Sequence, residues 1–346
     1  MSETMKVREG EELPVSKIQT FLNNDRTIGD ILSYTQFQAG ASNLTYALTT
    51  TTGEYVLRRP PFGKLAKKAH DMSREYQLLE MLHPLLNEVP KPILLCEDLS
   101  VIGVPFFIME RKKGIVLDTS FEGEYEETYG AIISEKVIDL LVKLHAIDYK
   151  QTNLASMTKA EGFLERQVLS WIARYEQAKT EEIEEVIALT KWLKNHIPET
   201  LDSTIIHYDF KLNNIMFNEN YDEIVGLFDW EMTTVGDPLA DVGVMLSYWV
   251  TEEDSDTLKY MLGKPPVTIM PGFYTREQMI ARYAAKSGRD MSAISYYIVF
   301  AYFKLAVIGQ QIYARFVNGQ TKDPRFEAFG QLVHSLMHYA NDLTKK

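Results

Sequence analysis

Apolar positions change their spacing along this chain. Up to about residue 110 they fall in short runs of strand length, with one helix among them; from about residue 125 onward they recur at helical spacing. Asn43 to Thr50 and Glu54 to Arg58 are β-type runs around Thr51-Thr52-Gly53, which predicts a hairpin. Pro60, Pro61 and Gly63 end that pattern. Leu65 to Leu82 then reads as a helix with Met72, Tyr76, Leu79 and Leu82 on one face, and Val101 to Met109 reads as a strand behind turn-prone Asp98 and Ser100. In the second part Ile133, Val137, Leu140, Leu141 and Leu144 mark a helix, and residues 162–196 and 275–341 are largely helical. The expected organisation is residues 1–110, with 1–28 as a leader or helical extension, and residues 111–346.

One insert among the helical blocks has a different character. Ile205-Ile206-His207-Tyr208-Asp209-Phe210-Lys211-Leu212-Asn213-Asn214 leads into Ile215-Met216-Phe217, a turn-rich Asn218 to Asp222, then Glu223 to Phe228 and Asp229-Trp230-Glu231. Two apolar runs around a polar turn predict an antiparallel hairpin. Asn214 stands before its first strand and Asp229 after its second, so the hairpin would bring an amide oxygen and a carboxylate together. Hard oxygens of this kind suit Mg²⁺, which fills the rest of its shell with phosphates and water. Asp209 enters the hairpin from the same end. Phosphoryl transfer asks for little more: positioning, metal-borne charge and an acceptor for the hydroxyl proton. Asp209 would take or orient that proton, Lys211 would place a cation near the transferred group, and Asn214 and Asp229 would hold the metal. Asp241 is expected to brace the loop by hydrogen bonds, and His207 to shape it.

These residues carry a family resemblance. His207 to Asn214 resembles the H-x-D-x-x-x-x-N catalytic loop of protein-kinase-like folds, with Asp229-Trp230-Glu231 where the metal-binding D-F-G stands. Gly236-Asp237-Pro238-Leu239-Ala240-Asp241 resembles aminoglycoside phosphotransferases, choline kinase-like enzymes and, most of all, the kinase-like domains linked to some acyl-CoA dehydrogenases. The likeness runs from about residue 30 to about residue 320. It implies an α+β, protein-kinase-like bilobal fold: a small antiparallel-sheet N-lobe with one main helix, and a larger, mostly helical C-lobe.

The resemblance also implies a nucleotide side. Arg58 stands where such folds carry a phosphate-contacting lysine, with Arg59 as its rival. The dehydrogenase-linked relatives resemble this chain in having arginine there. Strand alternation puts Val56 on the face of Arg58, toward the adenine, and Glu75 is the expected partner of Arg58. Gly40, Ser42 and Asn43 stand at the phosphate-loop position, although one glycine replaces three. Glu110 and Lys112 fall at the lobe hinge, where backbone groups would meet the adenine edge. The implied cofactors are ATP (or another nucleoside triphosphate) and Mg²⁺.

Composition narrows the partners. A net charge of −12 over 346 residues gives no surface for nucleic acid, which needs clustered Lys and Arg. No apolar run reaches the ~18 residues of a membrane span; the strongest, Ile294 to Phe303, stops at Lys304. The single Cys96 excludes an intrachain disulfide, and MSETMKVREGEEL has no secretory h-region, so a cytoplasmic protein is expected. No partner protein is evident. Asp229 meets Gly236-Asp237-Pro238 with no room for a peptide-docking activation segment, which favours a small-molecule acceptor over a protein. Acidic clusters at 122–127 and 181–185 would suit an aminoglycoside, whereas the dehydrogenase-linked likeness suggests a hydroxylated acyl compound. A second reading, a catalytically weak pseudokinase or nucleotide-binding scaffold, is motivated by the departures at Gly40 and Arg58.

Overall fold

Strand alternation in the first part of the chain builds a six-stranded antiparallel sheet. In a computed structural model its strands are β1 (Thr4–Met5), β2 (Ile31–Phe37), β3 (Leu44–Thr50), β4 (Glu54–Arg59), β5 (Pro92–Cys96) and β6 (Phe106–Glu110), in the order β1-β2-β3-β4-β6-β5. The structure describes residues 3–23, 27–38, 43–62, 71–121, 123–261, 263–321 and 323–345. The chain divides into two units, Met1–Gly114 with Val225–Glu231, and Ile115–Ile224 with Met232–Lys346.

In the first unit, register sorts the sheet into two faces. Tyr46, Leu57 and Ile108 lie opposite one another across β3, β4 and β6 and join a buried core with Ile18 and Leu22 of helix α1 (Val15–Leu22). The described residues of 1–28, expected as a leader or helical extension, contribute a strand and a helix to the sheet and its core: β1 pairs with β2, and α1 covers one face. The other face carries Ala47, Val56 and Met109 in one row and Thr45, Arg58 and Phe107 in the next. Phe107 meets Tyr76 of helix α2 (Met72–Leu82) edge to face at 6.2 Å.

Two boundaries differ from the sequence reading. Helix α2 starts at Met72, where Asp71 accepts the Arg74 amide as N-cap; residues 63–70, the expected first turns, lie outside the described residues. The strand expected from Val101 starts only at Phe106. A helical turn α3 (Leu99–Ile102), capped by Asp98 and stopped by left-handed Gly103 (φ +83°), occupies the residues before it. The signals were present in the chain, but an apolar run masks a cap of one residue.

The second unit is mostly helical. After β7 (Ile115–Val116) come α4 (Glu127–His145), α5 (Leu154–Met157), α6 (Phe163–Ala178) and α7 (Glu184–Asn195). Next are β8 (Thr204–Ile206), β9 (Ile215–Phe217) and β11 (Thr234–Gly236), while the intervening β10 (Ile224–Leu227) belongs from Val225 onward to the first unit. Helices α8 (Pro238–Tyr248), α9 (Asp256–Lys259), α10 (Arg276–Ser287), α11 (Ile294–Val317) and α12 (Phe329–Leu343) complete the second unit. The expected stripe of α4, Ile133 to Leu144, is buried throughout. Strand β8 pairs with β11, and β7 with β9. The turn after β9 is closed by the Asn218 amide donating to the Glu223 carbonyl at 2.9 Å. In the motif around Pro238, Gly236 ends β11, Asp237 accepts the Leu239 amide as N-cap, and Pro238 opens α8, where its missing N–H costs nothing.

Helix α8 is buried along almost its whole length, and α11 crosses it at Gly243. A Cβ there would sit 2.7 Å from the Tyr297 carbonyl oxygen, a contact that only helix separation relieves. Gly243→Ala is expected to cost about 1–3 kcal/mol, the usual range for overpacking. Denaturant unfolding checks this; a parental midpoint and slope would show that the two helices are not held at this distance.

Candidate active site

Loop 207–214, between β8 and β9, is held from behind. The His207 and Tyr208 amides donate to Asp241 Oδ2 and Oδ1 at 2.7 and 2.6 Å. Asp241 is fully buried in the first turn of α8, where a carboxylate also suits the helix dipole. The ring nitrogens of His145, at the end of α4, lie 3.2 Å from Asp241 Oδ2 and 2.7 Å from the Tyr283 hydroxyl. Asp241 therefore braces the loop, as expected from the sequence. Tyr208, immediately before Asp209, has a positive φ of 66°, sparsely populated for a bulky residue.

The brace presents Asp209 on a short polar arc. Lys211 Nζ lies 2.9 Å from Asp209 Oδ2. Asn214, at the end of a 3-10 turn, donates through Nδ2 to the Asp209 carbonyl at 2.9 Å and to Asp209 Oδ2 at 3.1 Å. This orientation leaves the Asn214 amide oxygen without a protein partner among the described residues. His207 Nδ1 is 3.3 Å from the Asp209 amide and accepts from it, so the histidine shapes the loop from inside. A narrow cleft of about 40 Å³ lies beside Lys211, walled by Leu117, Leu212, Tyr248, Met261 and Pro266, with Asp118, Lys259 and Lys264 also lining it. Burial lifts the Asp118 carboxyl above its ordinary range against the pull of Lys211. It does the same to the Tyr248 hydroxyl, over whose ring the Lys211 ammonium sits at 5.0 Å.

The first unit gathers a second charged group. Arg58 Nη2 is 2.9 Å from Asp229 Oδ1, and its Nε is 3.1 Å from Glu75 Oε1. Arg59 points to the other face, stacked on Phe62 at 4.0 Å with its Nε donating to the Pro60 carbonyl. Asn43 is buried and donates to Glu231 Oε2 at 3.1 Å, while Arg74 donates to the Glu231 carbonyl at 2.9 Å. Two guanidinium groups thus face three carboxylates, a surplus of negative charge. Burial works against the Arg58 charge, but Glu75, Asp229 and Glu231 outweigh it and hold the guanidinium more basic than usual. Burial pushes Glu75 up to about 7 against the pull of Arg58, with Asp229 and Glu231 adding to the rise. Asp229 has a positive φ of 68°, and among the described residues only one of its carboxylate oxygens, Oδ1, meets a side-chain cation.

The remaining expected residues are placed as follows. Val56 is buried on the Arg58 face of the sheet. The Glu110 amide is taken by the Lys91 carbonyl, and its carboxylate accepts the Lys91 amide. Lys112 Nζ donates to the Asn87 carbonyl at 2.9 Å. Gly40 and Ser42 lie outside the described residues. The structure thus brings Arg58, Glu75 and Asp229 together in one unit, and Asp209, Lys211 and Asn214 together in the other. Sequence reasoning missed His145, Glu231 and Asp118, whose partners are remote in the chain. No group of three His, Cys, Asp or Glu among the described residues is arranged to hold a metal by itself.

Comparison with known proteins agrees with this architecture. The pattern of a family described as "Phosphotransferase enzyme family" matches residues 33–265. Mouse (Mus musculus) acyl-CoA dehydrogenase family member 10 is 31% identical over 99% of this chain, which spans only 32% of the mouse protein. A solved structure from Ralstonia eutropha JMP134, provisionally named an aminoglycoside phosphotransferase, is 27% identical, with a TM-score of 0.81 over 96% of this chain and 99% of its own. Aminoglycoside phosphotransferase APH(4)-Ia, solved as a thermostable mutant with AMP-PNP and hygromycin B, shares the fold at 14% identity, with a TM-score of 0.60 over 95% of this chain and 98% of its own. The α+β, kinase-like fold expected from the sequence is the fold of these structures.

Proposed function

We propose that this chain, which belongs to the phosphotransferase enzyme family, is an ATP- and Mg²⁺-dependent enzyme that moves the γ-phosphate onto a hydroxyl of a small molecule. The observation that carries the reading is the Asp209 arc: a carboxylate held by Asn214 and Lys211 on a loop whose amides are fixed by Asp241. Asp209 orients the acceptor hydroxyl and receives its proton, and Lys211 offers its ammonium to the transferred group. Arg58, steadied by Glu75, contacts the nucleotide phosphates. Asn214 and Asp229 offer hard oxygens that would hold Mg²⁺, which when bound neutralises phosphate charge. Neighbours of this fold solved with AMP-PNP or with GDP support a nucleotide as the phosphate donor.

The cleft beside Lys211 favours one acceptor class. Its walls are mainly apolar and narrow, and its remote charges include Lys259 and Lys264, which have no ion-pair partner among the described residues. Lys259 and Lys264 outnumber the Asp118 carboxylate, so a polycationic aminoglycoside would meet net like charge there and a slim hydroxylated acyl compound with an anionic group net opposite charge. The acyl-CoA dehydrogenase name of the mouse relative points the same way.

The test has two arms. ATP with Mg²⁺ at about 100 times its dissociation constant stabilises a protein by roughly 2.7 kcal/mol, so the melting temperature should rise, and rise less in Asp229→Ala. Incubated with ATP, Mg²⁺ and a panel of hydroxyacyl thioesters, hydroxy acids and aminoglycosides, the enzyme should phosphorylate an acyl compound. Absence of a melting shift with any nucleotide and metal would leave a scaffold in its place, and phosphorylated kanamycin or hygromycin B would overturn the acceptor class.

A further inference from the structure

Lys304 sits in the middle of α11 and is 5% exposed. Its ammonium has no carboxylate or carbonyl partner among the described residues. Instead Nζ lies 3.3 Å from the centroid of the Tyr208 ring and 5.4 Å from that of Trp171, whose ring Arg174 also covers at 4.4 Å. Burying an amine without an ion-pair partner is costly, and an apolar side chain would fill the same space without that cost. The groups that face it are Asp209 of the loop and Asp241 of α8, which favour its charge, and Arg174 of α6, which opposes it. Burial dominates and pulls the amine down to about 7.

Its location gives the cost a purpose. Tyr208 immediately precedes Asp209 and carries the strained backbone of the loop. Its amide is tied to Asp241, and its ring rests on Lys304. Cation–π contact strengthens where the ring is desolvated, and here it bears on a tyrosine whose left-handed backbone is strained. The other cation at Asp209 is Lys211, at the mouth of the cleft. One ammonium cannot both hold Asp209 Oδ2 and follow the transferred group.

We propose that Lys304 is a positioning residue: its amine pins the Tyr208 ring behind Asp209, so that Asp209 keeps its aim when Lys211 turns to the phosphate. This rests on Asp209 being the group that orients the acceptor.

Lys304→Met, of similar length and uncharged, tests it, with Lys304→Arg as the conservative variant. A misplacement of about 1 Å can cost ~10²-fold in rate, so kcat should fall roughly 10–100-fold in Lys304→Met. The KM for ATP and the ATP–Mg²⁺ melting shift should stay near parental, and Lys304→Arg should recover part of the rate. Stability should move the other way. The folded-state pKa lies below the ordinary 10.5, so the folded protein bears the cost of a buried charge below pH 7 and sheds it as pH rises toward 10.5. The melting advantage of Lys304→Met should be widest below pH 7 and fade above it. A purely structural lysine would instead give a less stable variant with parental kcat, and that result overturns the proposal. If the parent itself transfers no phosphate, the functional reading fails, and amide exchange of residues 207–210 still decides the role of Lys304. Faster exchange in Lys304→Met supports the pin; unchanged exchange removes it.

Discussion

Asp209→Asn is expected to bind ATP and Mg²⁺ as the parent does and to transfer phosphate ~10²–10⁴-fold more slowly, the range lost with a general base. The substitution is nearly isosteric and keeps an oxygen for the Asn214 Nδ2 donor, now 3.1 Å from Asp209 Oδ2. It weakens one contact, the 2.9 Å pair with Lys211. That pair is partly exposed, so its loss should cost less than about 1 kcal/mol, and the melting temperature should barely move. What disappears is an acceptor for the hydroxyl proton. The separation of the two readouts is diagnostic: a folded, nucleotide-binding protein with little turnover. Rapid-quench or coupled-assay rates, read beside a thermal shift with ATP and Mg²⁺, decide it. Parental turnover in Asp209→Asn would remove the base assignment and return the loop to a structural role.

The site divides by sequence distance into what the chain could tell and what it could not. Asp209, Lys211 and Asn214 are legible because they lie close together in the chain, Asn214 ending the 3-10 turn that Lys211 precedes, so residue spacing nearly fixes their geometry. Arg58 and Glu75 were expected from the family resemblance with Arg59 left as a rival, and the structure sends the two arginines to opposite sides, Arg58 to Glu75 and Arg59 to Phe62. Asp241 was expected as a brace and is one, with both oxygens engaged. His145 was invisible. It ends an ordinary amphipathic helix, and its contact with Asp241 spans 96 positions that no local pattern connects. Lys304 was read only as the charge that cuts short the apolar run from Ile294. Hydropathy registers such a residue as an interruption, and only packing shows that it faces aromatic rings rather than water. The same limit applies to Asn43 and Glu231, brought together from 188 positions apart.

Asp241→Ala should produce the opposite signature to Asp209→Asn, losing stability first and activity as a consequence. Asp241 is fully buried and touches no solvent. Its two oxygens accept the His207 and Tyr208 amides at 2.7 and 2.6 Å, and one of them also lies 3.2 Å from His145 Nε2. Alanine leaves both amides buried and unpaired, and an unsatisfied buried donor costs about 1–3 kcal/mol. The total should be about 2–6 kcal/mol, before any cost from the orphaned imidazole. At roughly 2–4 °C per kcal/mol for a unit of this size, the melting temperature should fall by roughly 10 °C. Asp241→Asn should be intermediate, because an amide keeps one acceptor and turns its NH₂ toward a backbone donor. The loop that presents Asp209 depends on the same two amides, so whatever folds should turn over poorly and show faster amide exchange at 207–210. Calorimetry and exchange on the two variants check the order Ala below Asn below parent. An alanine variant as stable as the parent would mean that the amides find other acceptors, and that the aim of Asp209 does not come from α8.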